Sequence, residues 1–211
     1  MTIVWARRFA GYKRPELLLY DWAGFLNLIN HVNYPVQVIW AGKPHPGDET
    51  GIALFNRIID LVAPFPNCAV LAGYELQLPA TLKKDADIWL NNPRMFHEAS
   101  GTSGMTAAMN GAVNVSVPNG WVPEFASDGQ NCLVIPPASA EQPEAEHDAA
   151  ENKALLKILH DQALPMYYEH PEDWFALISA AFADIRPAFD SDRLAGQFTR
   201  IFIPDQAHGR A

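Results

Sequence analysis

Residues 86–111 have the sequence ADIWLNNPRMFHEASGTSGMTAAMNG, in which an apolar run leads through a loop of small residues into a short helical segment. The apolar run at residues 86–90 predicts a buried strand, and Met105 to Asn110 predict a helix that stops at Gly111. Small residues and glycines before a helix leave its first backbone N–H groups open to an anion or a sugar hydroxyl. An ordinary capped helix with a glycine stop is the alternative interpretation.

Strand and helix patterns alternate along the chain on both sides of this stretch. Apolar runs separated by helical periodicity predict six strands, at residues 2–6, 36–41, 68–72, 86–90, 113–117 and 131–135. Such alternation predicts an α/β fold with a doubly wound, Rossmann-like parallel sheet and further helices at the C-terminus. Ligands of these sheets bind beyond the carboxyl ends of the strands, so the loops that follow the strands are the candidate site.

Local composition predicts how the chain is divided. Residues 1–136 form the predicted Rossmann-like domain, and residues 137–152 are expected to be an acidic loop because they are rich in Pro, Ala and acidic side chains. Residues 153–203 predict helices that pack on the same domain. Residues 204–211 predict a disordered tail.

The overall composition limits the classes of protein to consider. The chain has 211 residues, of which 49% are hydrophobic and 18% charged, and this indicates a folded protein. A net charge of -9 at pH 7 disfavours nucleic acid as a partner. Cys68 and Cys132 lie in apolar runs that suit free thiols. With no leader and no apolar run long enough for a bilayer, the sequence predicts a cytoplasmic protein without a membrane partner.

Basic residues follow the first predicted strand and would face the ligand crevice, namely Arg7, Arg8, Lys13 and Arg14. Cations at one edge of the sheet favour the binding of a phosphate or diphosphate, whereas solvated surface charges are the alternative. The dinucleotide pattern G-x-G-x-x-G does not follow this strand, which disfavours a nicotinamide or flavin dinucleotide. The histidines lack the spacing of metal ligands, so no metal is predicted.

Two further candidates lie on loops at the ligand side of the predicted sheet. His45 lies between two prolines, on the loop that follows the second strand. Trp121 lies in a loop with Asn119 and Gly120, where it could stack on a sugar ring. Packing of Trp121 within its own loop is equally consistent with the sequence.

Several motifs together resemble one known family. They are RRFAGYKR at residues 7–14, AGKPHP at 41–46, GYEL at 73–76, DIWLNNPR at 87–94 and EASGTSG at 98–104. Over nearly its whole length the sequence is similar to the C-terminal domain of the α-glucan phosphorylases, which act on glycogen, starch and maltodextrin. The resemblance implies the second half of a GT-B glycosyltransferase fold, with the active site between this domain and an N-terminal partner domain.

The resemblance also implies roles for individual residues. Arg8 and Lys13 would be catalytic, because they would hold inorganic phosphate or the phosphate of glucose 1-phosphate. The hydroxyls of glucose would contact the segment Glu98, Ala99, Ser100 and Gly101. The phosphate of the cofactor would contact Tyr74, Thr102 and Ser103.

One position departs from the family pattern. Phosphorylases attach pyridoxal phosphate to a lysine eight residues after the glutamate that matches Glu98, and here that position is Thr106. A hydroxyl cannot form the covalent link to this cofactor. Either the cofactor binds without that link, another phosphate donor is used, or catalysis is lost.

Three functions therefore stay open at the level of sequence. The first is a phosphorylase-type hexosyltransferase, which transfers glucose with retention between α-1,4-glucan and phosphate. The others are a sugar-nucleotide-dependent α-glucan synthase and a non-catalytic glucan-binding module. Because this chain would supply only half of the cleft, the isolated domain is expected to be inactive.

Overall fold

A parallel sheet of six strands forms the centre of the protein, and a computed structural model describes residues 1–73, 77–139 and 141–202 of it. The strands are β1 (Thr2–Ala6), β2 (Gln37–Gly42), β3 (Cys68–Ala72), β4 (Ile88–Asn91), β5 (Val113–Ser116) and β6 (Leu133–Val134). Their order across the sheet is β3-β2-β1-β4-β5-β6, and every pairing is parallel. The predicted doubly wound, Rossmann-like α/β fold is confirmed.

Helices connect and cover the strands. They are α1 (Trp22–Ile29), α2 (Glu49–Val62), α3 (Gln77–Asp85), α4 (Thr102–Ala108), α5 (Val122–Phe125), α6 (Glu144–Ile158), α7 (Leu164–Tyr168), α8 (Pro171–Phe189) and α9 (Ser191–Phe202). Short 3-10 turns at Gly11–Lys13 and Leu17–Leu19 follow β1, and a π-helical turn at Leu159–Ala163 joins α6 to α7. The side chain of Asp21 caps α1 by accepting from the backbone N–H of Gly24 over 3.1 Å.

The core lies on both faces of the sheet. Ile3 and Trp5 of β1 belong to the larger apolar cluster, whereas Val4 between them lies with Trp89 and Ala107 in a second cluster. Because both faces are covered, the central strands β1 and β4 bury consecutive apolar residues, at 3–5 and 88–90. The loops that leave the carboxyl ends of β1 and β4 therefore start from rigid positions.

α4 begins earlier than the sequence predicts. Gly101 takes the left-handed conformation, with φ of 86°, and the helix starts at Thr102 instead of Met105. A Cβ on Gly104 would come 2.9 Å from Oδ1 of Asn114 in β5, so this glycine lets the helix approach the sheet closely. In the sequence these glycines suggest a loop. In the structure, Gly101 adopts a left-handed backbone conformation, and Gly104 allows close packing of α4 on β5.

The predicted acidic loop over residues 137–152 is wrong from Glu144 onward, because α6 begins there. The acidic side chains Asp148 and Glu151 of this helix form ion pairs with Arg14, and the side chain of Glu151 is only 4% exposed. An acidic segment resembles a solvated loop in the sequence. Here a buried cation from a distant element balances the charge and holds the helix on the domain.

The C-terminal helices differ in their contacts, and α9, which contacts α8, has no buried residues. α8 contacts α4 and β5, and α6 contacts α1. The division of the chain into domains stays a prediction, and the predicted disordered tail at 204–211 lies outside the described residues. Within the described ranges, no helix is both long and apolar enough to cross a membrane.

Candidate active site

The candidate site lies where β1 and β4 end side by side in the middle of the sheet. Residues 7–14 follow β1, and residues 92–101 follow β4. The backbone N–H of Arg94 donates to the carbonyl oxygen of Tyr12 over 2.7 Å, which joins the two loops. The strand order reverses between β1 and β4, and doubly wound folds bind their ligands in the crevice at such a point.

Lys13 and Glu98 meet in this crevice. The ammonium group of Lys13 donates to Oε1 of Glu98, and Nη1 of Arg7 lies 3.6 Å from the same oxygen. The side chains of Lys13 and Glu98 are each 14% exposed, so the pair is largely shielded from solvent. Two loops that are distant in the sequence therefore place their charged side chains in direct contact.

Arg7 is one of the basic residues that the sequence predicts in this crevice, although the resemblance gives it no role of its own. Its side chain is 4% exposed, and burial lowers the pKa of its guanidinium to about 10, against the opposing effect of Glu98. Its Nε and Nη2 atoms have no hydrogen-bond partner among the described residues. An anionic ligand would satisfy such N–H groups. Among the basic residues of this loop, Arg7 is the one that directly follows β1, and this position could have distinguished it in the sequence.

The other predicted cations point elsewhere. Arg8 is exposed, and its guanidinium donates to the hydroxyl of Tyr12 over 3.3 Å. Arg14 is buried, but its guanidinium turns to the carbonyl oxygens of residues 92–93, each at 2.9 Å. The predicted group of basic side chains is thus divided between the crevice, the solvent and a separate ion-pair network.

α4 is preceded by the segment Ala99, Ser100 and Gly101, which packs against the loop after β5. The carbonyl oxygen of Ser100 accepts from the backbone N–H of Trp121 over 3.0 Å, and a Cβ on Gly120 would come 2.2 Å from that oxygen. Trp121 is 3% exposed, and its ring lies edge-on to Phe189 at 6.0 Å between centroids. Trp121 therefore packs in the protein interior and offers no face to a sugar.

Thr102 and Ser103 lie in the first turn of α4, next to the crevice. They line a cavity of about 340 Å³ whose wall also includes Arg7, Lys83 and Trp89. Hydroxyl and guanidinium groups around one cavity are suited to bind phosphate oxygens. Tyr74, to which the resemblance assigns the same side of the site, lies outside the described residues.

Thr106 lies one turn further along α4. Its hydroxyl is within hydrogen-bonding distance of the carbonyl oxygens of Thr102 and Ser103, at 3.2 and 3.1 Å. The hydroxyl is thus satisfied by its own helix. The position at which the resemblance expects a lysine offers no amine to a cofactor.

The end of β2 supports the backbone of Arg7. The N–H of Arg7 donates to the carbonyl oxygen of Ala41 over 3.0 Å. Gly42 has φ of 136°, and a Cβ there would come 2.0 Å from the carbonyl oxygen of Arg7. Nδ1 of His45 accepts from the backbone N–H of Gly47 over 3.1 Å, so this histidine shapes its own turn.

Comparison with known proteins identifies the relatives of this chain, although no protein-family model matches it. It is 40% identical over 200 residues to an uncharacterised protein of Methanocaldococcus jannaschii, 35% over 206 to maltodextrin phosphorylase of Thermococcus litoralis, and 34% over 211 to glycogen phosphorylase of Aquifex aeolicus. These alignments cover 94%, 96% and 96% of this chain. Over nearly its whole length, the chain is similar to a part of these named phosphorylases.

The chain spans 36%, 24% and 30% of the lengths of those three relatives. Among solved structures, it is similar to Alr3699/HepE of Anabaena in complex with UDP and glucose, with a TM-score of 0.66 at 14% identity. That match covers 95% of this chain and 47% of the Anabaena chain, and at this identity it concerns the fold alone. The chain therefore shares its fold with the Anabaena protein, and two of its sequence relatives are named as phosphorylases.

Proposed function

We propose that this domain supplies half of the active site of an α-glucan phosphorylase-type hexosyltransferase. The whole protein would transfer glucose, with retention of configuration, between α-1,4-glucan and phosphate. The observation that carries the proposal is the meeting of Lys13, Arg7 and Glu98 beyond the ends of β1 and β4. Identity of 35% and 34% to named phosphorylases, over 96% of the chain in each case, supports it.

Two cations and one carboxylate give the crevice a chemistry that suits a sugar phosphate. Lys13 and Arg7 would bind phosphate oxygens and stabilise the charge on the leaving or attacking oxygen, and Arg8 would join them by turning inward. Glu98, released from Lys13 by the phosphate, would accept hydrogen bonds from glucose hydroxyls beside the backbone of residues 99–101. Retaining transfer passes through an oxocarbenium-like state, which the neighbouring phosphate stabilises.

The cavity beside the crevice fits the phosphate group of pyridoxal phosphate, the cofactor that the resemblance implies. Arg7 offers N–H groups that are unpartnered within the described part of the chain, and Thr102 and Ser103 line the same cavity. When bound, this cofactor supplies a phosphoryl group that can hold and return a proton beside the substrate phosphate. Thr106 does not fit the covalent link, because its side chain carries no amine, and its hydroxyl bonds within its own helix.

The second candidate is a sugar-nucleotide-dependent α-glucan synthase, and Thr106 is the observation that favours it. Without a lysine at this position, the cavity lined by Arg7 could take the diphosphate of a sugar nucleotide. The Anabaena protein of similar fold has been crystallised with UDP and glucose, and also with UDP-glucose. A non-catalytic glucan-binding module is the remaining alternative.

The proposed partners are α-glucan, phosphate or glucose 1-phosphate, and an N-terminal GT-B domain of the same protein. The phosphorylase relatives are several times longer than this chain, which is consistent with such a domain. We place the reaction in the cytoplasm because Cys68 and Cys132 are free thiols, as is usual in a reducing compartment.

The test is to incubate the whole protein that contains this chain with maltodextrin and inorganic phosphate. Release of glucose 1-phosphate is the expected result. Incorporation of labelled glucose from ADP- or UDP-glucose, with no requirement for phosphate, would overturn the phosphorylase proposal in favour of the synthase. Glucan binding without either turnover would overturn both and leave the binding module.

A further inference from the structure

Lys83 lies in the wall of the cavity that Arg7 also lines. It belongs to the last turn of α3, and its ammonium nitrogen lies 5.9 Å from the centre of the Trp89 ring. Trp89 is fully buried in β4 and lines the same cavity. The side chain of Lys83 is therefore partly buried and reaches the cavity of the candidate site.

Burial also affects the chemical state of Lys83. It lowers the pKa of the ammonium group, which increases the fraction of neutral amine at a given pH. The neutral amine is the form that attacks a carbonyl carbon. Lys84, the next residue in the chain, is exposed and provides a matched comparison.

The cavity combines this amine with groups that bind an anion. Arg7 has N–H groups without a partner among the described residues, and the hydroxyl-bearing residues Thr102 and Ser103 complete that part of the wall. At Thr106 the side chain carries no amine, and its hydroxyl is bonded to the helix. An aldehyde that carries a phosphate group would therefore meet the amine of Lys83 at its carbonyl carbon and the guanidinium of Arg7 at its phosphate.

We propose that Lys83 replaces the missing lysine and forms a reversible imine with the aldehyde of pyridoxal phosphate, while Arg7 binds the phosphate group. The choice of this aldehyde rests on the proposed phosphorylase function. The neutral amine of Lys83 adds to the aldehyde carbon, and a carbon–nitrogen double bond forms. Both amine hydrogens leave with the carbonyl oxygen as one molecule of water, so the step needs neither an oxidant nor a reductant.

The experiment adds pyridoxal phosphate, at one equivalent, to the purified protein that contains this chain. The expected result is a long-wavelength absorbance band, which borohydride reduction converts into a stable pyridoxyl group on the peptide that contains Lys83. Tandem mass spectrometry then assigns the modified side chain. Failure to form the adduct, or modification spread over surface lysines, would overturn the proposal.

Three variants make the assignment specific. Lys83→Met should lose the band and the modified peptide, and Lys83→Arg should do so while keeping the positive charge over Trp89. Lys84→Met should react as the parent protein does. Circular dichroism spectra that match that of the parent protein would show that the variants are folded. The loss of the absorbance band would then come from the loss of the Lys83 amine. Retention of the full band in both Lys83 variants would contradict the role of Lys83.

The bound phosphate gives a second readout. Inorganic phosphate should compete with formation of the imine, and pyridoxal without its phosphate should react more weakly, because Arg7 would hold that group. Equal reaction of pyridoxal and its phosphate would exclude the role of Arg7.

Release of glucose 1-phosphate is measured separately, so that the two proposals can fail independently. An imine at Lys83 without phosphorolysis would support this inference and contradict the proposed function. Phosphorolysis by a protein that forms no imine would do the reverse.

Discussion

A single carboxylate, Glu98, faces two cations in the crevice, Lys13 and Arg7. In the absence of a ligand, this carboxylate neutralises the positive charges of Lys13 and Arg7. Without it, both cations would be largely buried with no counter-charge. A phosphate that enters the crevice competes with Glu98 for both cations. The carboxylate is then free for sugar hydroxyls, so one exchange of partners would prepare both halves of a sugar phosphate site.

Replacing Lys13 tests this arrangement at the level of one residue. We expect Lys13→Ala in the whole protein to weaken the use of phosphate or glucose 1-phosphate by about 1.5–3 kcal/mol, the scale of a charged hydrogen bond. The measurement is kcat/KM for phosphate. The control is Lys84→Ala, which removes an exposed charge of α3 and should leave kcat/KM unchanged. Unchanged kinetics in Lys13→Ala would remove this residue from the site.

The two cysteines provide a pH-dependent prediction. Burial raises the pKa of Cys68 to about 11 and that of Cys132 to about 12, from 9.0 for a free thiol. Because the folded state holds these protons more tightly, their contribution to stability is complete below about pH 9 and is lost as the pH rises towards 12. We expect the free energy of unfolding to fall across this range.

Alkylation gives an independent measure of the same effect. In the folded protein, iodoacetamide should react with Cys132 more slowly than it does in the urea-unfolded chain, at every pH up to about 10. Equal rates in the folded and unfolded protein at pH 8 would contradict the raised pKa.

At the scale of elements, α6 is held on the domain by ion pairs. Arg14, on the loop after β1, pairs with Asp148 and Glu151, and Nη2 of Arg94 donates to Asp148 over 2.8 Å. The network joins both crevice loops to α6. Asp148 of this helix lies 134 residues after Arg14 and 54 residues after Arg94. Losing this network would loosen the loops as well as the helix.

Removing the central cation should therefore cost much more than removing a surface partner. We expect Arg14→Met to lower the free energy of unfolding by about 3–5 kcal/mol, because the buried carboxylate of Glu151 would lose its counter-charge. The measurement is urea denaturation followed by circular dichroism. Lys157→Met is the control, since its partner Asp161 is exposed and the loss of a surface pair changes the stability little. Similar losses in both variants would show that the network is not buried in solution.

Gly42 at the end of β2 gives a second prediction at this scale. A Cβ at this position meets the carbonyl oxygen of Arg7, and φ of 136° is rarely adopted by other residues. We expect Gly42→Ala to lower the stability by about 1–3 kcal/mol or more. The control is Gly196→Ala in α9, where nothing lies within 4 Å and alanine should cause no loss. If Gly42→Ala is as stable as the control, β2 does not brace Arg7 as closely as described.

At the scale of the whole molecule, the proposed function makes this chain one side of a cleft. Its relatives named as phosphorylases are about three to four times longer, and its match to the Anabaena protein covers 47% of that chain. The crevice at the ends of β1 and β4 is formed by loops that need an opposing surface to enclose a sugar. On this proposal, the domain alone would present phosphate-binding groups without excluding water from the reacting bond.

We therefore expect the isolated 211-residue chain to release no glucose 1-phosphate from maltodextrin, whereas the whole protein does. The comparison uses equal molar amounts and one assay for both proteins. A circular dichroism spectrum with helical and strand content would show that the isolated chain is folded in the assay. Full activity of the isolated chain would contradict the proposal of a shared cleft.

The sequence by itself determined the order and type of the elements around the sheet. Apolar runs and helical periodicity report burial, which is a local property of each segment, and β3 at residues 68–72 has the predicted bounds. The glycine-rich start of α4 and the acidic start of α6 were mistaken for loops, because close packing at Gly104 and the counter-charge of Arg14 come from distant parts of the chain.

Only the tertiary structure decided which charges meet. The sequence placed Arg7, Lys13 and Arg14 in one crevice, but it did not separate the first two, which reach Glu98, from Arg14, which reaches α6. The partners lie 85 residues apart for Lys13 and Glu98, and 134 apart for Arg14 and Asp148. Side-chain direction depends on such distant partners, whereas the period of apolar residues depends only on neighbours along the chain.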